Sequence, residues 1–205
     1  MEIELKYSLD SVEQIDSILN DEEIKSMTDE GSLETFPIVS RYFDTADMRL
    51  THERVAFRVR KEGRRYIATL KWNGHSESGM HEREENNVPV SEKEMSEPTV
   101  EIFKQSPMYE KLKQMIGERE LSVLMTTEFE RRQVRLDNGN VICELSFDTG
   151  EVHCDGRSAP LQEMEIELYS GSREEMEKIG EYITGKYGLK PENKSKFGRG
   201  LDLKK

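Results

Sequence analysis

The chain has 205 residues, of which 34% are hydrophobic and 35% are charged, so its core is thin but sufficient for a single domain over residues 1–205. Its 42 acidic and 30 basic side chains give a formal net charge of −12, which disfavours binding to a nucleic-acid backbone. No apolar run reaches the roughly 18 residues of a membrane span, and the N-terminus carries acids where a signal peptide would be basic. We therefore expect a cytoplasmic protein with neither a nucleic-acid nor a membrane partner.

The first half of the chain is predicted to be mainly β-strand. A period-two pattern over 1–9 precedes a helix over about 11–28, where apolar residues recur every three or four positions. Alternating segments follow at 36–44, 54–61, 65–72 and 80–90, with a tight turn at Glu62-Gly63. The capping box formed by Ser91 and Glu94 predicts a helical turn after the last of them.

The second half combines two further helices with three further strands. A helix over 107–116 ends at Gly117, and strands follow at 127–136, 140–153 and 162–169. The last helix, over 172–187, begins with a capping box of Ser172 and Glu175 and ends at Gly188. Because strands and helices do not alternate regularly, we predict an α+β fold with a mostly antiparallel sheet or barrel.

Most of the predicted strands carry charge on one face only. In the first strand, Ile3 and Leu5 share one face while Glu2, Glu4 and Lys6 share the other. The same division recurs around Arg58 and Arg60, Thr69 and Lys71, Glu144 and Asp148, and Glu163, Glu165 and Glu167. Like charges on one sheet face repel one another. Two arrangements balance them: a solvated sheet with cross-paired acids and bases, or a closed barrel whose charged interior holds a metal cation and a polyanion.

An ordered series of motifs carries a family resemblance. The opening Glu2-Ile3-Glu4-Leu5-Lys6 resembles the ExExK signature of the CYTH superfamily, the triphosphate tunnel metalloenzymes. Further motifs in family order are Tyr42-Phe43-Asp44-Thr45, Ala56-Phe57-Arg58-Val59-Arg60, Thr69-Leu70-Lys71, Arg131, Asp148, Glu165-Ile166-Glu167 and Ser195-Lys196-Phe197. The resemblance favours the closed barrel: an eight-stranded antiparallel tunnel, with helices outside, that binds a triphosphate inside.

The resemblance also implies a role for each matching residue. The acids that resemble the family's metal ligands are Glu2, Glu4, Glu165 and Glu167, with Asp148 completing the set directly or through water. The bases that resemble its phosphate-binding lining are Lys6, Arg58, Arg60, Lys71, Arg131 and Lys196. Such carboxylates suit Mg²⁺ or Mn²⁺, and arginine can bind two phosphate oxygens at once. Within this set, Lys71, Glu4 and Glu167 are the expected catalytic residues.

Strand register leaves several positions open. In the segment 81–85, parity favours Arg83 and Glu85 as tunnel residues, and a shift of one residue would select Glu84. In the segment 128–135, parity turns Arg131, Gln133 and Arg135 inward and leaves Arg132 outside. Lys194 competes with Lys196 in the same way. The glycine-rich segment 73–79 is either a flap at a tunnel mouth or a hairpin turn, and we favour the turn.

The leading functional hypothesis is a metal-dependent triphosphatase that acts on inorganic triphosphate or another compact triphosphate. No base-binding or thiazole-binding pocket is evident in the sequence. The alternatives are a class IV adenylyl cyclase that forms cyclic AMP and pyrophosphate, a thiamine triphosphatase, and a non-catalytic module that binds polyphosphate or nucleotide. The expected partner is a small-molecule triphosphate, and a homodimer is left open.

Overall fold

The computed structural model describes residues 1–204, which form a closed antiparallel barrel with helices outside it. The barrel strands are β1 (Glu2–Ser8), β2 (Glu34–Thr45), β3 (Ala56–Glu62), β4 (Arg65–Glu77), β5 (Met80–Val90), β6 (Leu121–Asp137), β7 (Val141–Cys154) and β8 (Arg157–Gly171). Their order around the barrel is β5-β4-β3-β2-β6-β7-β8-β1, and β1 pairs with β5 to close the ring. A two-residue strand, β9 (Lys190–Pro191), adds to β1. The predicted α+β class and eight-stranded antiparallel barrel are confirmed.

The helices cover the outer face of the barrel and one of its ends. They are α1 (Glu13–Leu19), α2 (Glu22–Met27), α3 (Arg49–His52), α4 (Tyr109–Ile116), α5 (Arg173–Tyr187) and α6 (Lys196–Leu203), with 3₁₀ turns at Glu92–Met95 and Val100–Phe103. Outward apolar side chains of β1, β7 and β8 pack beneath α1, α2 and α5, and those of β3 and β4 pack beneath α3 and α4. No helix within residues 1–204 combines the length and the apolar character needed to span a membrane.

The predicted helix over 11–28 is wrong as one element, because the chain breaks it into α1 and α2. Asp21 lies between them in an extended conformation, and its carboxylate accepts hydrogen bonds from the backbone N–H groups of Glu23 and Ile24. The phenols of Tyr182 and Tyr187, on α5, donate to the same carboxylate. A residue that satisfies the first N–H groups of a new helix favours a helix start over continuation.

We expect Asp21→Ala to lower the free energy of unfolding by about 1–2 kcal/mol, the usual cost of losing such a cap. Burial opposes ionisation of this carboxyl, but hydrogen bonds from Lys186, Tyr187 and Tyr182 outweigh it and hold its pKa well below the usual range. The stabilisation is therefore present at neutral pH and is lost as pH falls through the acidic range. Denaturant unfolding checks this, with the exposed neighbour Glu22→Ala as control. Equal stability of the two variants at pH 7 would contradict it.

A hairpin turn does join β4 to β5, but it occupies only Ser78 and Gly79, and the predicted turn over 73–77 is wrong because those residues continue β4. Strand β4 continues to Glu77 after a register shift between Trp72 and His75, and the turn that follows has Gly79 at φ +83°. The Lys6 backbone N–H donates to the Gly79 carbonyl at 2.8 Å, while Gly79 N–H donates to Asn193 Oδ1 at 2.8 Å. The hairpin is therefore fastened to β1 and to the segment that leads into α6.

The other predicted helices are present, but α3, the 3₁₀ turn at Val100–Phe103 and α6 were not predicted. Helix α4 ends at Gly117, the 3₁₀ turn after Ser91 has its capping box, and α5 ends at Gly188. At the start of α5, Ser172 Oγ accepts from the Glu175 backbone N–H, but the Glu175 carboxylate pairs with Lys178 instead of completing the predicted box. Helix α6 was not predicted. Its hydroxyl cap at Ser195 is followed by only eight helical residues, two of which are glycines.

Candidate functional site

A cavity of about 750 Å³ runs inside the barrel, and side chains from all eight barrel strands and α6 line it. The charged face of β1 points into it: Glu4 is 4% exposed and Lys6 is 2% exposed. The apolar face of the same strand, represented by Leu5, packs against the outer helices. The charged strand faces therefore line an interior, and the solvated-sheet alternative does not hold.

Two arginines of β3 present unused donors to this cavity. Both Arg58 Nε and Arg60 Nε are buried and have no hydrogen-bond partner among residues 1–204. The remaining contacts are few: Arg58 donates to Thr69 Oγ1 at 3.4 Å, and Arg60 lies 3.1 Å from a Glu62 oxygen. A buried donor without an acceptor is costly. This wall of the cavity is therefore suited to an anion with several oxygens, such as a phosphate chain.

Lys71 lies between two carboxylates on the neighbouring part of the wall. Its ammonium group is 2.8 Å and 3.0 Å from the two oxygens of Glu2, and it also contacts Glu85. Burial opposes ionisation of Glu85, but Lys71 and Arg58 outweigh this and lower its pKa to about 2. Lys71 is thus held at a fixed point beside the arginine wall.

The carboxylate of Glu4 is also ionised and paired. It contacts Arg83 and lies 3.6 Å from the Lys6 ammonium group. Burial opposes ionisation, but these cations outweigh it and lower the pKa of Glu4 to about 2. Arg83 also reaches Glu2 at 3.0 Å, so one guanidinium group links both acids of the ExExK signature.

Glu167 differs from the other acids because its side chain forms no ion pair or hydrogen bond within residues 1–204. Its β-partner on β1 is Glu4. Burial, together with the nearby charges of Glu2 and Glu4, raises the pKa of Glu167 to about 8. A hard divalent cation would relieve this repulsion, since Mg²⁺ and Mn²⁺ prefer carboxylate oxygens. The charge around Glu2, Glu4 and Glu167 therefore favours a divalent cation.

A second group of acids lies toward α6. Arg131 makes two hydrogen bonds of 2.7 Å to Asp148 and a third of 2.7 Å to Glu165. The Lys196 ammonium group lies 2.7 Å from Asp148 and 2.9 Å from Glu165. Lys6 lies 2.7 Å from the same Glu165 oxygen. Both buried acids are therefore paired with more than one cation.

Asp148, Glu163 and Glu165 also offer three oxygens within 4.8 Å of one another, a spacing that could hold a metal ion. Four cations already contact this group: Lys6, Arg131, Lys196 and Arg199. A metal here would have to compete with them, and a metal at Glu2 and Glu4 would likewise compete with Lys71, Arg83 and Lys6. Among these acids, Glu167 forms no ion pair within residues 1–204. The metal-binding role expected for Asp148 and Glu165 stays a prediction: their oxygens have a suitable spacing, and Lys6 joins Glu165 to Glu4 of the other acids.

The predicted site residues lie in or beside the cavity, with one exception. Of the open alternatives, Glu85, Arg83 and Lys196 line the cavity, while Glu84 and Lys194 have side chains that are 46% and 62% exposed. The exception is Arg135, whose inward orientation is wrong: its side chain is 50% exposed and pairs with Asp29 at 3.0 Å. Asp29 lies in the segment between α2 and β2, which sequence parity does not place.

Glu163 and Arg199 belong to the charged interior, but the sequence analysis gave neither of them a role. The side chain of Glu163 is fully buried. The signal for Glu163 was present, because it shares strand parity with Glu165 and Glu167. Arg199 follows Lys196 by three residues, which is one helical turn, but without a predicted helix that spacing had no meaning.

Comparison with known proteins now places this geometry in a family. A family model described as the CYTH domain matches residues 1–201. The chain belongs to the CYTH family. The match covers every cavity-lining residue described above, so the resemblance first seen in scattered motifs extends over nearly the whole of this CYTH chain.

One curated relative has an assigned activity. The CYTH chain is 30% identical over 135 residues to an inorganic triphosphatase of Haemophilus influenzae. The aligned region covers 66% of this chain and 37% of that protein. The chain thus spans well under half the length of this relative.

Solved structures support the fold. A Hippeastrum protein described as a candidate adenylyl cyclase with a dominant triphosphatase activity matches with a TM-score of 0.72 and 19% identity, over 99% of this chain and 96% of that one. A candidate adenylate cyclase from Bacillus halodurans matches with a TM-score of 0.57 and 20% identity, over 95% and 94%. The PH1012 protein of Pyrococcus horikoshii matches with a TM-score of 0.54 and 20% identity, over 96% and 95%. At these identities the likeness concerns the fold alone.

Proposed function

We propose that this CYTH chain hydrolyses inorganic triphosphate, or another compact triphosphate, in its barrel and requires Mg²⁺ or Mn²⁺. The observation that carries the proposal is that one cavity contains both unsatisfied hydrogen-bond donors and an unpaired acid. Arg58 and Arg60 present buried donors without acceptors, and Glu167 presents a carboxylate without a cation. A triphosphate bound together with a divalent cation would satisfy both. The likeness to the Haemophilus influenzae triphosphatase favours the same substrate class.

In this proposal the basic residues hold the phosphate chain. The guanidinium groups of Arg58 and Arg60 bind its oxygens, and Lys71 stabilises the charge that develops as the phosphoanhydride bond breaks. Lys6, Arg131 and Lys196 supply further positive charge. A triphosphate carries a charge of about −4 to −5. Because Lys71, Lys6, Arg131 and Lys196 already pair with acids of the barrel interior, the proposed divalent cation is needed to offset part of that charge. Hydrolysis of inorganic triphosphate then yields orthophosphate and pyrophosphate.

The metal-binding residues in the proposal are Glu2, Glu4 and Glu167, with Glu165 and Asp148 as neighbours on the same interior. A bound Mg²⁺ or Mn²⁺ would supply Lewis-acid stabilisation of phosphate charge. In this proposal Glu4 and Glu167 orient the water that attacks phosphorus, and no serine or cysteine nucleophile is needed. The proposal also includes a single domain, a cytoplasmic location and a small-molecule substrate. A homodimer is left open.

A substrate panel tests the proposed reaction. The purified chain is given inorganic triphosphate, ATP and thiamine triphosphate with Mg²⁺ or Mn²⁺, and orthophosphate, pyrophosphate and cyclic AMP are resolved as separate products. We expect kcat/KM to be much higher for the release of orthophosphate from inorganic triphosphate than for any product from ATP. Efficient formation of cyclic AMP and pyrophosphate would identify a cyclase instead. Preferential cleavage of thiamine triphosphate would identify a thiamine triphosphatase, and tight binding without any product would identify a binding module.

A further inference from the structure

Glu163 lies behind the charged lining of the cavity rather than in it. Its side chain is fully buried, and it is absent from the residues that line the cavity, whereas Lys6, Lys196 and Glu165 all line it. The carboxylate projects from β8 beside Asp148, its β-partner on β7. Any influence of Glu163 on a bound triphosphate must therefore pass through the residues it contacts.

The contacts of Glu163 join the two lysines of the lining. Its Oε1 atom is 3.4 Å from the Lys6 ammonium nitrogen and also accepts a hydrogen bond from Lys196. These lysines come from different elements, β1 and α6, that are 190 positions apart in the chain. Two ammonium groups at one point repel each other, so a shared carboxylate is needed to hold them together.

The other oxygen of Glu163, Oε2, pairs with Arg199 of α6. Arg199 lies 2.8 Å from Glu163 Oε2 and 3.0 Å from Glu192, which precedes α6. The ion pairs therefore run from Glu192 through Arg199 and Glu163 to both lysines. A lysine side chain has four rotatable bonds, and fixing its ammonium group requires partners on more than one side.

We propose that Glu163 is a positioning residue that fixes the ammonium groups of Lys6 and Lys196 toward the cavity for the proposed triphosphatase reaction. The inference rests on the proposed function for its kinetic consequence and on geometry alone for the lysine positions. Glu165 faces the cavity and contacts the same lysines, so it holds them from the front while Glu163 holds them from behind.

The kinetic test compares Glu163→Gln and Glu163→Asp with Glu130→Gln, an exposed acid on the outer face of β6. We expect Glu163→Gln to lower kcat for inorganic triphosphate at least about tenfold, with less than about threefold change in KM, because misplaced groups slow the reaction more than they weaken binding. Glu163→Asp keeps the charge and should recover part of kcat. A kcat within twofold of wild type for Glu163→Gln would overturn the proposal.

A spectroscopic test is independent of catalysis. Ammonium groups held in buried ion pairs exchange protons slowly, so ¹H–¹⁵N spectra of the lysine side chains should show separate signals for Lys6 and Lys196, assigned with Lys6→Arg and Lys196→Arg. We expect both signals to broaden or shift in Glu163→Gln and to persist in Glu163→Asp and Glu130→Gln. Unchanged signals in Glu163→Gln would contradict the proposal.

The proposal can still be tested if the Glu163→Gln variant does not fold or if the wild-type chain is inactive. If Glu163→Gln does not fold, Arg199→Gln takes its place, since it removes the ion pairs of Arg199 with Glu163 and Glu192 and leaves both lysine contacts of Glu163 intact. It should shift the Lys196 signal, and an unchanged signal counts against the proposal. If the wild-type chain does not hydrolyse triphosphate, the proposed function fails. The lysine signals of the variants then still decide whether Glu163 positions the two ammonium groups.

Discussion

Replacing Glu167 by glutamine is expected to lower kcat for inorganic triphosphate at least about a hundredfold while raising the thermal stability of the metal-free protein. The loss of activity follows from removing a proposed metal-binding carboxylate. The gain in stability follows because burial and the charges of Glu2 and Glu4 raise the pKa of Glu167 to about 8, so ionising it destabilises the folded state. The measurements are steady-state kinetics at saturating metal and a melting curve in chelator.

The stability gain expected for Glu167→Gln should depend on pH in a definite direction. The pKa of about 8 in the folded protein lies above the ordinary glutamate value of 4.5, so Glu167 costs no stability below about pH 4.5 and its full cost appears above about pH 8. The stability gain of Glu167→Gln in metal-free buffer should therefore grow as pH rises from 5 to 8. Glu4→Gln serves as the comparison, since Glu4 is paired with Arg83 and Lys6 and its loss should abolish turnover without a stability gain. If Glu167→Gln melted at a lower temperature than the wild type in metal-free buffer at pH 8, the destabilising charge assigned to Glu167 would be contradicted.

Substitution of Lys71 should separate stabilisation of developing charge from substrate binding. We expect Lys71→Ala to lower kcat by about a hundredfold or more with a smaller change in KM, because an interaction made mainly in the transition state is lost. Arg58→Ala should instead weaken binding more evenly and raise KM, since Arg58 lines the cavity and its guanidinium group is proposed to bind phosphate oxygens. Steady-state kinetics of both variants on inorganic triphosphate at saturating metal provide the measurement.

A matched control for both variants is Lys61→Ala. Lys61 lies on β3 beside Arg60 but is exposed, and its ammonium group lies over the ring of Tyr66 rather than in the cavity. Removing it also deletes one positive charge, so it reports the effect of net charge alone. A wild-type kcat for Lys71→Ala, or a loss in Lys61→Ala as large as that in Lys71→Ala, would defeat the role given to Lys71.

The interior of the barrel was predictable because strand side chains alternate with a period of exactly two. Once Ile3 and Leu5 were assigned outward, Glu4 and Lys6 had to share the inward face, and the family motifs fixed the same parity on β3, β4 and β8. The same rule correctly favoured Glu85 over Glu84 as a cavity residue. It placed residues on faces without any knowledge of which strands are neighbours.

The remaining features depend on contacts that are distant in sequence. Parity turned Arg135 inward, but Asp29, more than 100 positions away, draws its side chain to the surface. The break at Asp21 is reinforced by two tyrosines of α5, which no local pattern could supply. Asp148 is paired and Glu167 is unpaired because the side chains of Arg131 and Lys196 contact Asp148 and not Glu167. Partner choice of this kind is fixed by the three-dimensional structure rather than by local spacing.

The barrel interior is proposed to hydrolyse triphosphate with a bound divalent cation. The most direct measurement is the rate of orthophosphate release from inorganic triphosphate, recorded with Mg²⁺ or Mn²⁺, then in excess EDTA, and again after the metal is restored. The account predicts a rate that falls to background in EDTA and returns when metal is added back. No orthophosphate release in the presence of metal, or an undiminished rate in excess EDTA, would contradict it.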